Sequence, residues 1–216
     1  MARKIQSFLL VSAVAACYLL ATYFKVNGIQ GSVGRCFSLS NCFLPLIGAF
    51  FGFAGSYAYF AGSLAVRFCL LPWQTFVTSC FGLPTLAASL YWTPSNRMIK
   101  AMIPLACMLL FALHPVGLHA MPYTLYWLIP ACIAFMPNAH HFLRALGSTF
   151  SAHAVGSVCY LYGINAMTPT AWIALIPVVA YERMLFACGM YGVYLLLQAV
   201  GAKLFQLCAQ EKTYSL

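Results

Sequence analysis

The sequence predicts an all-α, polytopic membrane helical bundle of about six transmembrane helices, and three observations carry that expectation. Hydrophobic residues make up 63% of the 216 positions and charged ones only 6%, which leaves too little polar surface to cover a water-soluble globule. A bilayer core about 30 Å thick needs roughly 20 apolar residues per helix, and the chain supplies some six such segments. The apolar runs lack the dyad alternation of a barrel strand, so the backbone is expected to satisfy its own polar groups in helices. Short connections then leave no length for a separate soluble domain, and 1–216 reads as one integral membrane domain.

Arg3 and Lys4 precede an apolar run from Ile5 to Tyr23 that is long enough to span. Val14-Ala15-Ala16-Cys17 has the form of a lipoprotein cleavage box, but the run continues past it, which favours an uncleaved first helix. Lys25 to Asn41 holds Gly28, Gly31 and Gly34 with little apolar material and reads as a flexible loop of a length that is often functional. Phe43 to Phe60 reads as a second span, in which Gly48-x-x-x-Gly52 offers a flat strip to a neighbouring helix. Leu64 to Leu90 reads as a third, broken or bent near Pro72 and again at Gly82 and Pro84, with Arg67 near its start.

A polar turn from Thr93 to Lys100 leads into a fourth span, Met102 to Leu113. Pro115, Pro122, Pro130 and Pro137 interrupt the next stretch, so Tyr123 to Phe135 reads as a partial or re-entrant helix and Phe142 to Tyr162 as the fifth full span. Thr168-Pro169 is a helix start ahead of Trp172, and after an interruption at Pro177 the last helix is expected from about Ala180 to Leu207. Seven spans are the alternative count. Charge placement leans towards both termini inside, with Arg3, Lys4, Lys203 and Lys212 on that side and Lys25, Arg35, Arg97 and Lys100 opposite.

The net charge of +9 reflects missing acids, since Glu182 and Glu211 are the only carboxylate side chains. The basic residues are dispersed near helix ends, where they meet headgroups, and nucleic acid is not an expected partner. The ten Cys are dispersed through apolar runs as small hydrophobes, with no zinc pattern and no disulfide framework. Cys36 and Cys42 are the pair best placed to oxidise if their loop is extracytoplasmic.

Polar groups carried into a bilayer cost free energy unless paired or facing a cavity, which singles out Arg67, Arg144, His153, Glu182 and Arg183. Glu182 and Arg183 point about 100° apart on a helix, so Glu182 is expected to pair with Arg67 or Arg144, with a purely structural ion pair as the competing reading. Ser148, Thr149, Ala152, His153 and Gly156 share a broad face that either lines a cavity or packs helices. Tyr123, Tyr126 and Trp127 either stack on a planar ligand or form an interfacial belt. The expected substrate-binding residues are Trp127, Asn138, His153 and Glu182.

No H-E-x-x-H, carboxylate cluster or G-x-S-x-G is present, so no catalytic residue, metal or cofactor is expected. A phosphate-cradling G-x-x-x-x-G-K is also missing, so any ATP must be hydrolysed by another chain. A small binder that borrows energy from partners fits these facts better than a self-powered pump.

In size, helix count and a long loop after the first helix, the chain resembles the substrate-binding S components of energy-coupling factor transporters. Ser12-x-x-x-Ala16 and Ala13-x-x-x-Cys17 on the first helix, Leu44 to Gly52, and Trp172 to Arg183 add local likeness. The resemblance implies that Ser12, Ala13 and Ala16 dock on a transmembrane coupling protein through close backbone approach, although Ser12 and Cys17 replace two expected alanines. It also implies a cell-membrane location and a cavity for a vitamin or micronutrient beneath the first long loop. Release would follow when the subunit reorients against partner ATPases. The alternatives are a membrane enzyme or stand-alone carrier with a His/Glu-lined site, and a structural assembly protein.

Overall fold

Aliphatic and small residues dominate the chain, and the computed structural model is helical apart from one short antiparallel strand pair. It describes 25–28, 36–70, 82–94, 96–163 and 167–213, with Ser12, Leu19 and Tyr23, and of 25–28, 36–40, 67, 68, 70 and 204–213 it gives the backbone alone. Two compact units divide the chain: Leu44–Cys188, and Met1–Phe43 with Gly189–Leu216.

In the unit formed by the two chain ends, β1 (Lys25–Gly28) pairs with β2 (Cys36–Ser38), placing Asn27 opposite Phe37 and Gly28 opposite Cys36. Part of the stretch expected to be a flexible loop is therefore a strand pair, with Gly28 closing a strand rather than loosening a loop. Ser12 is helical and exposed; Ala13, Ala16 and most of the expected first helix lie outside the described residues. Cys42 is buried, and the side chain of Cys36, its expected partner, also lies outside them. Met190, Tyr194 and Leu197 form a buried stripe at helical spacing, and Gln198 Nε2 donates to the Tyr194 hydroxyl at 2.6 Å.

The Leu44–Cys188 unit begins with α1 (Ile47–Leu70), which bends at Gly52, where φ is 67°. Only glycine adopts that conformation without strain, and Ser56 Oγ donates to the Gly52 carbonyl at 3.1 Å. The helix runs through Ala61, Gly62 and Ser63, so the boundary expected between the second and third spans is absent, because no proline interrupts the ladder there. A new helix, α2 (Gly82–Leu90), begins where a break was expected, and Pro72 lies outside the described residues.

Asn96 caps α3 (Arg97–Leu113) by accepting from Met98 N at 2.9 Å, which starts the helix five residues earlier than the apolar pattern suggested. His114 Nδ1 caps the short α4 (Pro115–Leu118), and a 3-10 segment, Met121–Trp127, leads into α5 (Leu128–Phe135). The long α6 (His141–Gly163) is helical over the stretch expected as the fifth span, and Thr168 caps α7 (Pro169–Ala174) as its sequence foretold. The last helix, α8 (Ile176–Thr213), begins in this unit. Pro177 stands in its first turn, where a missing N–H costs no bond, and the expected interruption falls just before it, at Leu175.

Among the described residues, Leu44–Val66 and Ile176–Lys203 are long and apolar enough to cross a membrane. Gly48 and Gly147 are among the glycines that allow close packing within the Leu44–Cys188 unit. A Cβ on Gly48 would stand 2.2 Å from Ser89 O, and one on Gly147 would stand 2.5 Å from Tyr91 Cε1. Gly52, expected to share the strip with Gly48, would meet nothing within 4 Å and makes the bend instead. Ser148 Oγ adds a 2.8 Å hydrogen bond to Ala88 O, and the Tyr91 hydroxyl donates to Pro130 O. Gly48→Ala is expected to cost about 1–3 kcal/mol in detergent unfolding, because the obstructing atom is backbone. Gly62→Ala, in open space, should cost nothing and gain up to about 1 kcal/mol through helix propensity.

Candidate functional site

The prolines and caps between His114 and Thr168 bring three short elements against one face of α6. His153 and Ser157 lie four residues apart on α6 and meet the same group: the Tyr123 hydroxyl shares hydrogen bonds with His153 Nε2 at 2.8 Å and Ser157 Oγ at 3.2 Å. Tyr123 is buried, and its ring is 4.9 Å from that of Trp172 and 6.1 Å from that of Trp127, centre to centre. Phe111 on α3 completes the enclosure, edge-on to Trp127 at 5.4 Å and to Trp172 at 5.3 Å. Such edge-to-face contacts fit the ring quadrupoles and hold each side chain in one orientation.

Trp127 is 0% exposed, yet neither its indole N–H nor that of Trp172 has a hydrogen-bond partner among the described residues; the same holds for the Tyr160 hydroxyl. A buried donor left unmatched costs about 1–3 kcal/mol. These donors form part of one aromatic cluster, with the Tyr160 and Trp172 rings 6.0 Å apart.

Charge enters from the first turns of α8. Glu182 and Arg183 are only 9% and 6% exposed, and Arg183 Nη2 stands 3.4 Å from Glu182 Oε2. The guanidinium also covers the Phe186 ring at 5.0 Å, and Thr149 Oγ1 on α6 donates to Arg183 O at 3.5 Å. Trp127 and His153 thus meet Tyr123, together with Ser157 and Trp172, while Glu182 meets Arg183.

Glu182 meets its sequence neighbour Arg183, because a long guanidinium arm reaches across the angle between adjacent helical positions. The side chain of Arg67 lies outside the described residues. Asn138 is exposed on the turn between α5 and α6, where its φ of 55° marks a turn-former rather than part of a cavity wall. Tyr126 stacks on Phe150 at 5.6 Å, so it serves the core rather than an interfacial belt.

Sequence reasoning missed Phe111, Ser157 and Trp172 as site residues. The four-residue step from His153 to Ser157 was a usable signal, but nothing in the sequence brought Trp172 to Tyr123. Among the described residues, no three His, Cys, Asp or Glu side chains assemble as a metal-ligand set. Comparison with known protein families, curated proteins and solved structures finds no match to this chain.

The Tyr123–His153 bond is open to a double-mutant cycle. Tyr123→Phe keeps the ring and should cost about 1–2 kcal/mol in detergent unfolding. Combined with His153→Leu, the losses should fall short of their sum by about 0.5 kcal/mol or more; simple additivity would mean that the two groups share no energetic bond.

Proposed function

We propose that this chain is a multi-pass membrane protein that holds a small molecule among its helices. In this reading it serves as the substrate-binding subunit of an uptake system whose transmembrane coupling protein and ATPases are separate chains. The observation that carries the proposal is an inside-out distribution of polarity. The interior holds Tyr123, His153, Ser157, Glu182 and Arg183, while α3 presents Met98, Met102, Leu105, Leu109 and Leu113 outward as one apolar stripe, with Leu109 63% and Leu113 68% exposed. Water would not tolerate so continuous an apolar face, and lipid would cover it.

Segment lengths support the same reading. At 1.5 Å per residue, the 23 residues of α6 reach about 35 Å and the 17 of α3 about 25 Å. Met121–Phe135, short for a single α-helix, gains length from its 3-10 half and reaches about 26 Å. With the two longer apolar segments, these approach the thickness of the hydrocarbon core.

The charged pair gives the interior no net charge, while the tyrosine, histidine and indole N–H groups offer directional recognition. A small molecule of vitamin or micronutrient size, bearing hydrogen-bond acceptors, suits such a lining. The chain carries no phosphate-binding loop to power its own cycle, which is why partner ATPases belong to the proposal.

Native mass spectrometry of the gently extracted full chain tests this reading. A retained metabolite and ATPase partners are expected. His153→Ala and Glu182→Gln should each lower metabolite occupancy tenfold or more, about 1.4 kcal/mol, with partners retained. Ser12→Leu with Ala16→Leu should release the partners and spare the metabolite. A ligand-free, partner-free chain, under conditions that preserve a known transporter assembly, would overturn the uptake reading.

A further inference from the structure

The Leu44–Cys188 unit carries a second charged feature, distant in character from the interior cluster: a concentration of cations where α3 and α6 begin. Tyr91 brings the two helix starts together. Its ring packs on Gly147, one turn beyond Arg144, and Lys100 Nζ lies 5.9 Å from the centre of the same ring while donating to Thr93 O at 2.9 Å. Arg144 Nε donates to Ala139 O at 3.2 Å, which holds its stem at the turn carrying His140 and His141. Arg97 opens α3 and is exposed.

The charges at this end reinforce one another. Arg144 and Arg97 act on the Lys100 ammonium as like charges, and Arg144 and His140 do the same to the His141 ring. The unit's single carboxylate side chain, Glu182, meets Arg183. The N-termini of α3 and α6 add the positive ends of two helix dipoles, with no acidic residue in either first turn. Beside Arg97 and Lys100 the exposed side chains turn apolar at Met98, Ile99 and Met102, where the outward stripe of α3 begins.

We propose that Arg97, Lys100, His140, His141 and Arg144 form a docking surface for anionic phospholipid headgroups, whose acyl chains lie along the exposed stripe of α3. A basic rim directly above an apolar helix face matches both halves of such a lipid, which an inorganic anion or an acidic peptide does not. The surface draws this end to the leaflet that carries anionic lipid, normally the cytoplasmic one. It thereby sets the α2–α3 and α5–α6 connections on that side, opposite to the placement of Arg97 and Lys100 that the terminal charges suggested.

The inference rests on the bilayer reading, and the experiment separates the two. The full chain is reconstituted in nanodiscs of phosphatidylcholine, alone or with phosphatidylglycerol as the minor lipid, and retained lipids are counted by native mass spectrometry. Phosphatidylglycerol should be retained over phosphatidylcholine beyond its share of the bilayer, and less so at high salt. Arg97→Gln and Arg144→Gln should each lower the enrichment about fivefold, Arg97→Lys should preserve it, and Lys203→Gln in the other unit should leave it unchanged. Excess inorganic phosphate should not displace the lipid; displacement would make this a site for free anions and overturn the proposal. Because Arg97 is exposed, its variant reports even if Arg144→Gln does not fold. Equal retention of both lipids by the reconstituted wild type overturns the docking surface alone, whereas a chain that does not enter nanodiscs overturns the bilayer reading itself.

Discussion

Tyr91 carries the constraint on which much of the Leu44–Cys188 unit depends. Its ring occupies the space left by the missing side chain of Gly147, and its hydroxyl donates to Pro130 O while standing 3.4 Å from Lys100 O. Pro104 explains why that second carbonyl matters: a proline four residues on has no N–H to give it, so Lys100 O would otherwise lose its helical donor. One side chain thereby joins the turn after α2 to α3, α5 and α6. In an apolar environment each such carbonyl left unmatched would cost several kcal/mol, so the order of these elements is tied to the reach of a single hydroxyl.

The same requirement explains which parts of the fold were legible in the sequence. The start of α7 was readable from Thr168-Pro169, and α6 was readable from its length alone. The bend at Gly52 and the continuation of α1 past Phe60 were not, since a glycine in a small-residue pattern serves either as a packing surface or as a hinge and only its neighbours decide which. Gly48 meets a backbone carbonyl and became the packing surface; Gly52 meets nothing and became the hinge. The span limits also moved because Asn96 begins α3 ahead of its apolar run, and the apolar pattern takes no account of caps.

The site was legible to the extent that burying polarity is costly. That reasoning found His153 and Glu182 and, through its aromatic bulk, Trp127. Asn138 instead occupies a left-handed turn in the open, and Tyr123, singled out for its ring, joins the site through its hydroxyl. That reasoning also left out the contact between Glu182 and its neighbour Arg183. Ideal helical angles separate adjacent residues, but an arginine has enough rotatable bonds to fold back towards the preceding carboxylate, and burial makes that contact favourable when water is excluded.

Charge in this unit is therefore sorted by what surrounds it. Inside, a carboxylate and a guanidinium hold one another, with a tyrosine and a histidine within reach of their fields, because an isolated ion there would cost far more than its partner could return. At the start of α3 and α6, Arg97, Lys100 and Arg144 come together, an arrangement that costs free energy through mutual repulsion. A water-soluble protein would intersperse acids to relieve that repulsion. With a single carboxylate side chain in the whole unit, the proposed headgroup layer would supply fixed negative charge at the depth where an apolar helix face begins.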